Sequence, residues 1–210
     1  MKTLIAVPSM DQVPALFAQS LASLNRVEEC AVAFEIGSLV YTSRNNLAKK
    51  AIEYGADYVF WLDSDMVFNP DALEQMHKTM KEKNLDILTG LYFRRVEPYT
   101  PVVFDKLEMT EQGCEWTDFE EIPNELFEVG GCGFGCVLMK TELFVDVFVK
   151  HGAFFDPFKG VGEDLSFCWR VRDCGYKIYC DPSIPLGHVG NQMITRNYYE
   201  SYKVVRARNS

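Results

Sequence analysis

The chain has 210 residues, of which 48% are hydrophobic, 24% charged and 13% aromatic, enough to bury a core and too apolar for a collagen-like, low-complexity or disordered class. Thirty acids against 21 bases give a net charge of −9, which argues against a duplex nucleic-acid partner that needs many phosphate contacts. No apolar run approaches the roughly 20 residues of a membrane span, and Leu4 to Val7 is shorter than the roughly 7–15 residues of a signal-peptide core, so a soluble cytoplasmic protein is expected.

Residues 1–91 alternate short apolar runs with helical patterns. Thr3–Val7, ending at Pro8, reads as a buried strand, and Leu16, Phe17, Leu21 and Leu24 follow on one helix face. Ala31–Phe34 is a second strand. Leu47, Ala48, Ala51 and Ile52 stripe a second helix, with Ser43 as a candidate N-cap and Gly55 just past its end. Tyr58-Val59-Phe60-Trp61-Leu62 has no polar position and reads as a central parallel strand covered on both faces. Asn69-Pro70 then suits the start of a helix with Leu73, Met76 and Met80 inward, and Asp86–Leu91 is the next strand. This rhythm implies a mostly parallel sheet flanked by helices.

An acidic segment interrupts it. From Asp105 to Glu128 nine acids stand against Lys106 alone, a net of −8 that leaves −9 − (−8) = −1 for the other residues. Pro98, Pro101, Gly113 and Pro123 bracket short β-prone pieces there, Val102–Phe104 and Leu126–Val129, which together read as a small solvated β-rich insertion. Strand and helix patterns then return: Val137–Met139, Thr141–Lys150 ending at Gly152, Glu163–Cys174 ending at Gly175, and Lys177–Cys180. The last 22 residues carry Arg196, Lys203, Arg206 and Arg208 against Glu200, a net of +3. The expected organisation is one domain over 1–210: a nucleotide-binding half (1–91), an acceptor half (92–190) and a basic tail (191–210).

Seven cysteines without a secretion signal point to reduced thiols. Cys132 and Cys136 are spaced C-x3-C, and Cys168, Cys174 and Cys180 C-x5-C-x5-C, neither of which is a zinc knuckle. They read as small buried hydrophobes.

Four constellations carry candidate chemistry. Asp63-Ser64-Asp65 follows the buried strand directly, where ligands of open α/β sheets bind. On an extended chain, residues i and i+2 point the same way, so both carboxylates would address one hard cation. Glu163 and Asp164 open a helix after Gly162. His188 sits in a loop between Gly187 and Gly190 beyond the last strand. Glycines 130, 131, 133 and 135 match no dinucleotide fingerprint and suit close backbone approach to a ligand.

In this order the pieces resemble the GT-A glycosyltransferases, family 2-like and metal-dependent. The matching text is Ala6-Val7-Pro8, Ser43-Arg44-Asn45-Asn46-Leu47-Ala48, Tyr58 to Met66, Gly130-Gly131-Cys132-Gly133, Gly162-Glu163-Asp164-Leu165 and His188. The resemblance implies that Asp63 and Asp65, with His188, hold Mn2+ or Mg2+. It implies that Pro8, Ser9, Glu35, Arg44, Asp63, Ser64 and Gly131 line the site of a nucleotide-sugar donor. UDP is favoured, with Glu35 in place of the acid that reads a uracil N3–H, and GDP is the alternative, because Phe34-Glu35-Ile36-Gly37-Ser38 departs from the family's Asp-rich, Gly-Ser turn. Asp164, with Glu163 beside it, would act at the acceptor, a glycan, lipid or protein, as general base of an inverting transfer. Two other readings remain open on the residues: Asp63-Ser64-Asp65-Met66-Val67 fits the nucleophile motif of haloacid-dehalogenase-like phosphatases, and a non-catalytic sugar-nucleotide-binding module would carry the same motifs.

Overall fold

The computed structural model describes residues 1–190 and 193–209, and side chains through 207 except at 191 and 192. The elements run β1 (Lys2–Ser9), α1 (Ala15–Ser23), β2 (Glu29–Ile36), α2 (Val40–Tyr54), β3 (Tyr58–Leu62), β4 (Met66–Phe68), α3 (Ala72–Lys83) and β5 (Ile87–Gly90). The middle of the chain gives β6 (Val103–Phe104), β7 (Lys106–Met109), β8 (Cys114–Thr117), β9 (Phe127–Val129), β10 (Gly131–Cys132) and β11 (Cys136–Lys140). The last part gives α4 (Leu143–His151), α5 (Glu163–Asp173), β12 (Ile178–Asp181), β13 (Leu186–Val189), β14 (Met193–Ile194) and α6 (Arg196–Asn209).

Seven strands form the main sheet in the order β2-β1-β3-β11-β5-β12-β9. β2, β1 and β3 are parallel, β11 runs against both β3 and β5, and β12 is parallel to β5. The sheet is therefore mostly parallel, as its apolar runs predict, with β11 and the edge strand β9 reversed. Alternation along each strand feeds two cores. Leu4, Ala6, Val59, Trp61, Val137 and Met139 face α2, α4 and α5. Ile5, Val7, Phe60, Leu62, Cys136 and Leu138 face α1 and α3, where Phe17, Leu73, Met76 and Met80 complete the packing.

Helix ends differ from the expected ones by a turn or less. α2 begins at Val40, so Ser43 is a buried residue of its first turns, donating its backbone N–H to Leu39 O at 2.9 Å. Gly55 ends it at φ 66, as expected. α3 starts after Asp71; Asn69 helps only through its carbonyl, which accepts from Ala72 N–H at 3.1 Å. The acidic segment is indeed β-rich: β7 and β8 form a hairpin of their own, and β6 pairs with β10.

Two short strands missing from the sequence reading set the active end of the molecule. β4 leaves the DxD turn and pairs antiparallel with β13, placing His188 opposite Met66. His188 thus stands on a strand rather than in a loop, and Val189 N–H donates to Asp65 O at 2.8 Å. At three and four residues, β4 and β13 are too short for alternation to mark them as strands. No helix among the described residues is long and apolar enough to cross a membrane.

Candidate active site

Beyond the carboxyl ends of β1 and β3 lies a cleft of 360 Å³ bordered by Pro8, Ser9, Arg44, Asp63, Ser64, Asp65, Glu163, Asp164 and His188. These residues come from β1, α2, the turn after β3, the start of α5 and β13, so folding gathers what the sequence scatters. A larger hollow of 1240 Å³ opens at the other end of the sheet beside Tyr58, His77 and Lys140, and none of the predicted site residues reaches it.

Arg44 is the floor of the cleft. It is 2% exposed, its Nη2 donates to Asp63 Oδ1 at 2.8 Å, and its Nε donates to Glu163 Oε1 at 3.2 Å. Its guanidinium lies 5.3 Å from the Phe134 ring and 5.8 Å from the Trp61 ring, so the two carboxylates and two aromatic faces together hold the buried charge. Burial alone would lower its pKa; the facing Asp63, Glu163 and Asp164 outweigh that and raise it. The next two residues anchor α2 elsewhere. Asn45 accepts from Phe155 N–H at 2.9 Å and donates to Asp156 at 3.0 Å, fixing the loop that leads into α5, and Asn46 donates to Glu35 at 2.8 Å.

Asp63 and Asp65 do not share an extended segment. Asp63 O accepts from Met66 N–H at 3.1 Å, closing a turn, and the two carboxylates consequently face different partners. Asp63 faces Arg44. Asp65 meets Arg95, whose Nη1 donates to Oδ2, while His188 Nε2 lies 3.4 Å from that same oxygen. His188 Nδ1 is 2.8 Å from Phe93 O; a carbonyl only accepts, so Nδ1 carries the hydrogen and Nε2 is the atom turned to Asp65. Burial pulls the His188 pKa down, but Asp65 and the Phe93 carbonyl bring it above its ordinary value. Burial pushes Asp65 up, and His188 and Arg95 overcome this to leave it low.

That pair is the fit test for a divalent cation. A carboxylate oxygen facing an imidazole nitrogen whose other nitrogen is pinned by a carbonyl is an oriented donor set, and it favours positive charge between its members. Among the described residues no group of three His, Cys, Asp or Glu side chains is placed to hold a metal by itself. Asp65 and His188 fit such an ion as two donors, leaving its other positions to a ligand.

Asp164 lies on the other side of the cleft, largely buried, with its Oδ1 accepting from Leu165 N–H at 2.7 Å. Burial and then the Glu163 charge push its carboxyl up to about 6, against the pull of the Leu165 N–H and Arg44. A carboxylate poised there is mostly ionised at neutral pH yet basic enough to accept a proton.

Glu35 and Gly131 stand apart from the cleft lining. Glu35 is held by Asn46 and by Lys50 at 2.5 Å, and a Cβ on Gly131 would meet Leu165 and Leu107. The neighbouring glycines serve the protein's own packing rather than a ligand: a Cβ on Gly133 would come within 2.2 Å of the Tyr92 hydroxyl, and one on Gly135 within 2.7 Å of the same ring. Tyr92 in turn accepts from Gly135 N–H at 3.1 Å and supports His188 edge-on, with ring centroids 5.5 Å apart. All seven cysteines are free thiols; Cys132, Cys136, Cys168 and Cys180 are buried as expected, whereas Cys174, just past α5, is only half-buried. Sequence reasoning missed Tyr92 and Arg95. Their signal was position alone, just past the carboxyl end of β5.

The model of glycosyl transferase family 2 matches residues 37–148, more than half of the chain. The protein belongs to that family. The match spans Arg44, Asp63 and Asp65, and it makes the chain's chemistry sugar transfer in general rather than that of a haloacid-dehalogenase-like phosphatase. Among solved structures, "A197 from STIV" shares the fold at a TM-score of 0.69 and 22% identity, over 94% of this chain and 92% of that one. GalNAc-T7, solved with UDP, GalNAc and Mn2+, aligns at a TM-score of 0.61 and 11% identity, over 90% of this chain and 44% of its own. At these identities the likeness speaks to the fold, which is GT-A. No curated protein matches the chain.

Proposed function

We propose that this glycosyltransferase is metal-dependent and moves a hexosyl group from a nucleotide-diphosphate sugar to an acceptor hydroxyl with inversion. The observation that carries the reading is the meeting, in one cleft, of the Asp65–His188 donor pair and the raised Asp164 carboxyl. Asp65 and His188 would hold Mn2+ or Mg2+, with Asp63 and Ser64 beside them toward the donor. When bound, that ion supplies positive charge to the departing diphosphate. Asp164 takes the proton from the acceptor oxygen as that oxygen attacks the anomeric carbon, a role worth roughly 10²–10⁴ in rate. Glu163, tied to Arg44, keeps the first turn of α5 in place and holds negative charge beside the base.

Pro8, Ser9 and Arg44 line the donor side of this reading, with UDP favoured over GDP, and the acceptor is a glycan, lipid or protein. Residues 1–91 would bind the nucleotide and residues 92–190 the acceptor. The test is nucleotide release from a panel of UDP- and GDP-sugars with and without Mn2+. Metal-dependent release from one donor class supports the reading. Equal release with and without the ion, or none from any donor, contradicts it.

A further inference from the structure

We propose that Arg95 is a diphosphate-binding residue that covers Asp65 Oδ2 in the free protein and passes to the donor's phosphates when a divalent cation takes that oxygen; this rests on the metal-dependent reading above. Arg95 Nη1 and His188 Nε2 address the same atom, Asp65 Oδ2. A cation held between Asp65 and His188 must therefore compete with the guanidinium for that oxygen. The contest is unequal. The Arg95 side chain is 53% exposed, and an ion pair with so exposed a member contributes little, whereas a doubly charged ion on a carboxylate and an imidazole gains more.

Released, the Arg95 side chain moves from a tethered base, because the two residues before it are held and Gly190 packs against it. Phe93 bridges to Pro101, Arg94 N–H donates to Thr100 O at 2.9 Å, and a Cβ on Gly190 would come within 3.0 Å of Arg95 Cβ. The Phe93 ring is stacked on Tyr199 of α6, with centroids 4.5 Å apart. The guanidinium thus stays within one side chain's reach of Asp65. It stands at the divide between the cleft of 360 Å³ and a neighbouring hollow of 500 Å³ that shares Ser64, Asp65 and Arg95 with it. A planar fork of N–H donors there matches phosphate oxygens, and the phosphates would shield it from the cation it would otherwise repel. Arg95 accordingly opposes the ion alone and favours the ion together with a diphosphate.

The test measures Mn2+ affinity by the spin-resonance signal of the free ion, and nucleotide diphosphate affinity (UDP and GDP) by calorimetry at saturating Mn2+. It compares wild type, Arg95→Ala and Asp65→Ala, with thermal unfolding to confirm that each is folded. Arg95→Ala should bind Mn2+ alone about 2–5-fold more tightly. It should bind the nucleotide with Mn2+ about 10-fold more weakly, and Arg95→Lys should recover only part of that loss. If wild type binds Mn2+ through Asp65 but either affinity is unmoved in Arg95→Ala, the proposal is overturned and the metal reading stands. If wild type and Asp65→Ala bind Mn2+ alike, the metal reading and the proposal fall together.

Discussion

Arg44 Nη2 and Asp63 Oδ1 lie 2.8 Å apart beneath the cleft, joining the turn after β3 to α2 while the same guanidinium reaches Glu163 on α5. One buried cation thereby sets the spacing between the end of β3 and the start of α5.

Replacing Arg44 should unfold the protein more readily than replacing any one of its partners. Arg44→Met leaves Asp63 and Glu163 without their counter-charge, and breaking a buried pair in this way costs about 3–5 kcal/mol. Glu163→Gln keeps the Asp63 pair and should cost less. Urea unfolding of the two variants checks the order; a larger loss in Glu163→Gln would contradict it.

Asp164 should act against stability at the neutral pH where the proposed base is ionised. Its carboxyl rises from 3.8 to about 6 on folding, so the contribution it makes to stability is full below about pH 4 and is lost as pH rises through 6. The cost above pH 6 is on the order of 2–3 kcal/mol. Asp164→Asn should therefore be more stable than wild type at pH 7.5, with the gain shrinking toward pH 4. Thermal unfolding across that range checks it, and a gain independent of pH would contradict the assignment.

His188 and Tyr199 should affect the same affinity to different extents. His188→Ala removes a donor from the ion and should weaken Mn2+ binding, with partial rescue at high Mn2+. Tyr199 supports the Phe93 ring, whose residue's carbonyl orients His188, and the tyrosine stack is worth about 0.5–1.5 kcal/mol. Tyr199→Ala should thus weaken Mn2+ binding by a few-fold while leaving the sheet intact. Unchanged Mn2+ affinity would leave α6 without a part in the site.

That link also bears on the tail. Tyr198, Tyr199 and Tyr202 pack on Phe93 and Tyr99, so α6 braces the loop that carries Arg95. The Arg208 side chain lies outside the described residues. Deleting residues 196–210 should weaken nucleotide binding through that loop and spare the fold, which calorimetry together with circular dichroism would measure.

The strands of residues 1–91 were legible because short apolar runs such as Tyr58 to Leu62, too short for a helix and bounded by polar or turn residues, suit a covered strand. Asp63, Asp65 and Asp164 were legible for a related reason: carboxylates immediately after a buried strand or at a helix start stand where a sheet's ligands bind. What escaped was pairing over long range. Nothing local in Leu186 to Val189 says that it joins Met66 to Phe68, yet this pairing brings His188 to Asp65. Gly133 and Gly135 misled because small size serves a ligand and a neighbouring Tyr92 equally well, and only the fold tells them apart. Arg95 escaped for want of any pattern, since two adjacent arginines past a strand, Arg94 and Arg95, look like solvent charge.

If the cleft binds a nucleotide sugar through an ion and acts on it through Asp164, one substitution should separate binding from chemistry. Wild type and Asp164→Asn are compared with Mn2+ and the sugar donor, following donor affinity and nucleotide release in the same preparations, water standing in for the acceptor. Donor affinity should be equal, with release slowed by roughly 10²–10⁴ in Asp164→Asn. Release at the wild-type rate by a variant that binds the donor normally would contradict it.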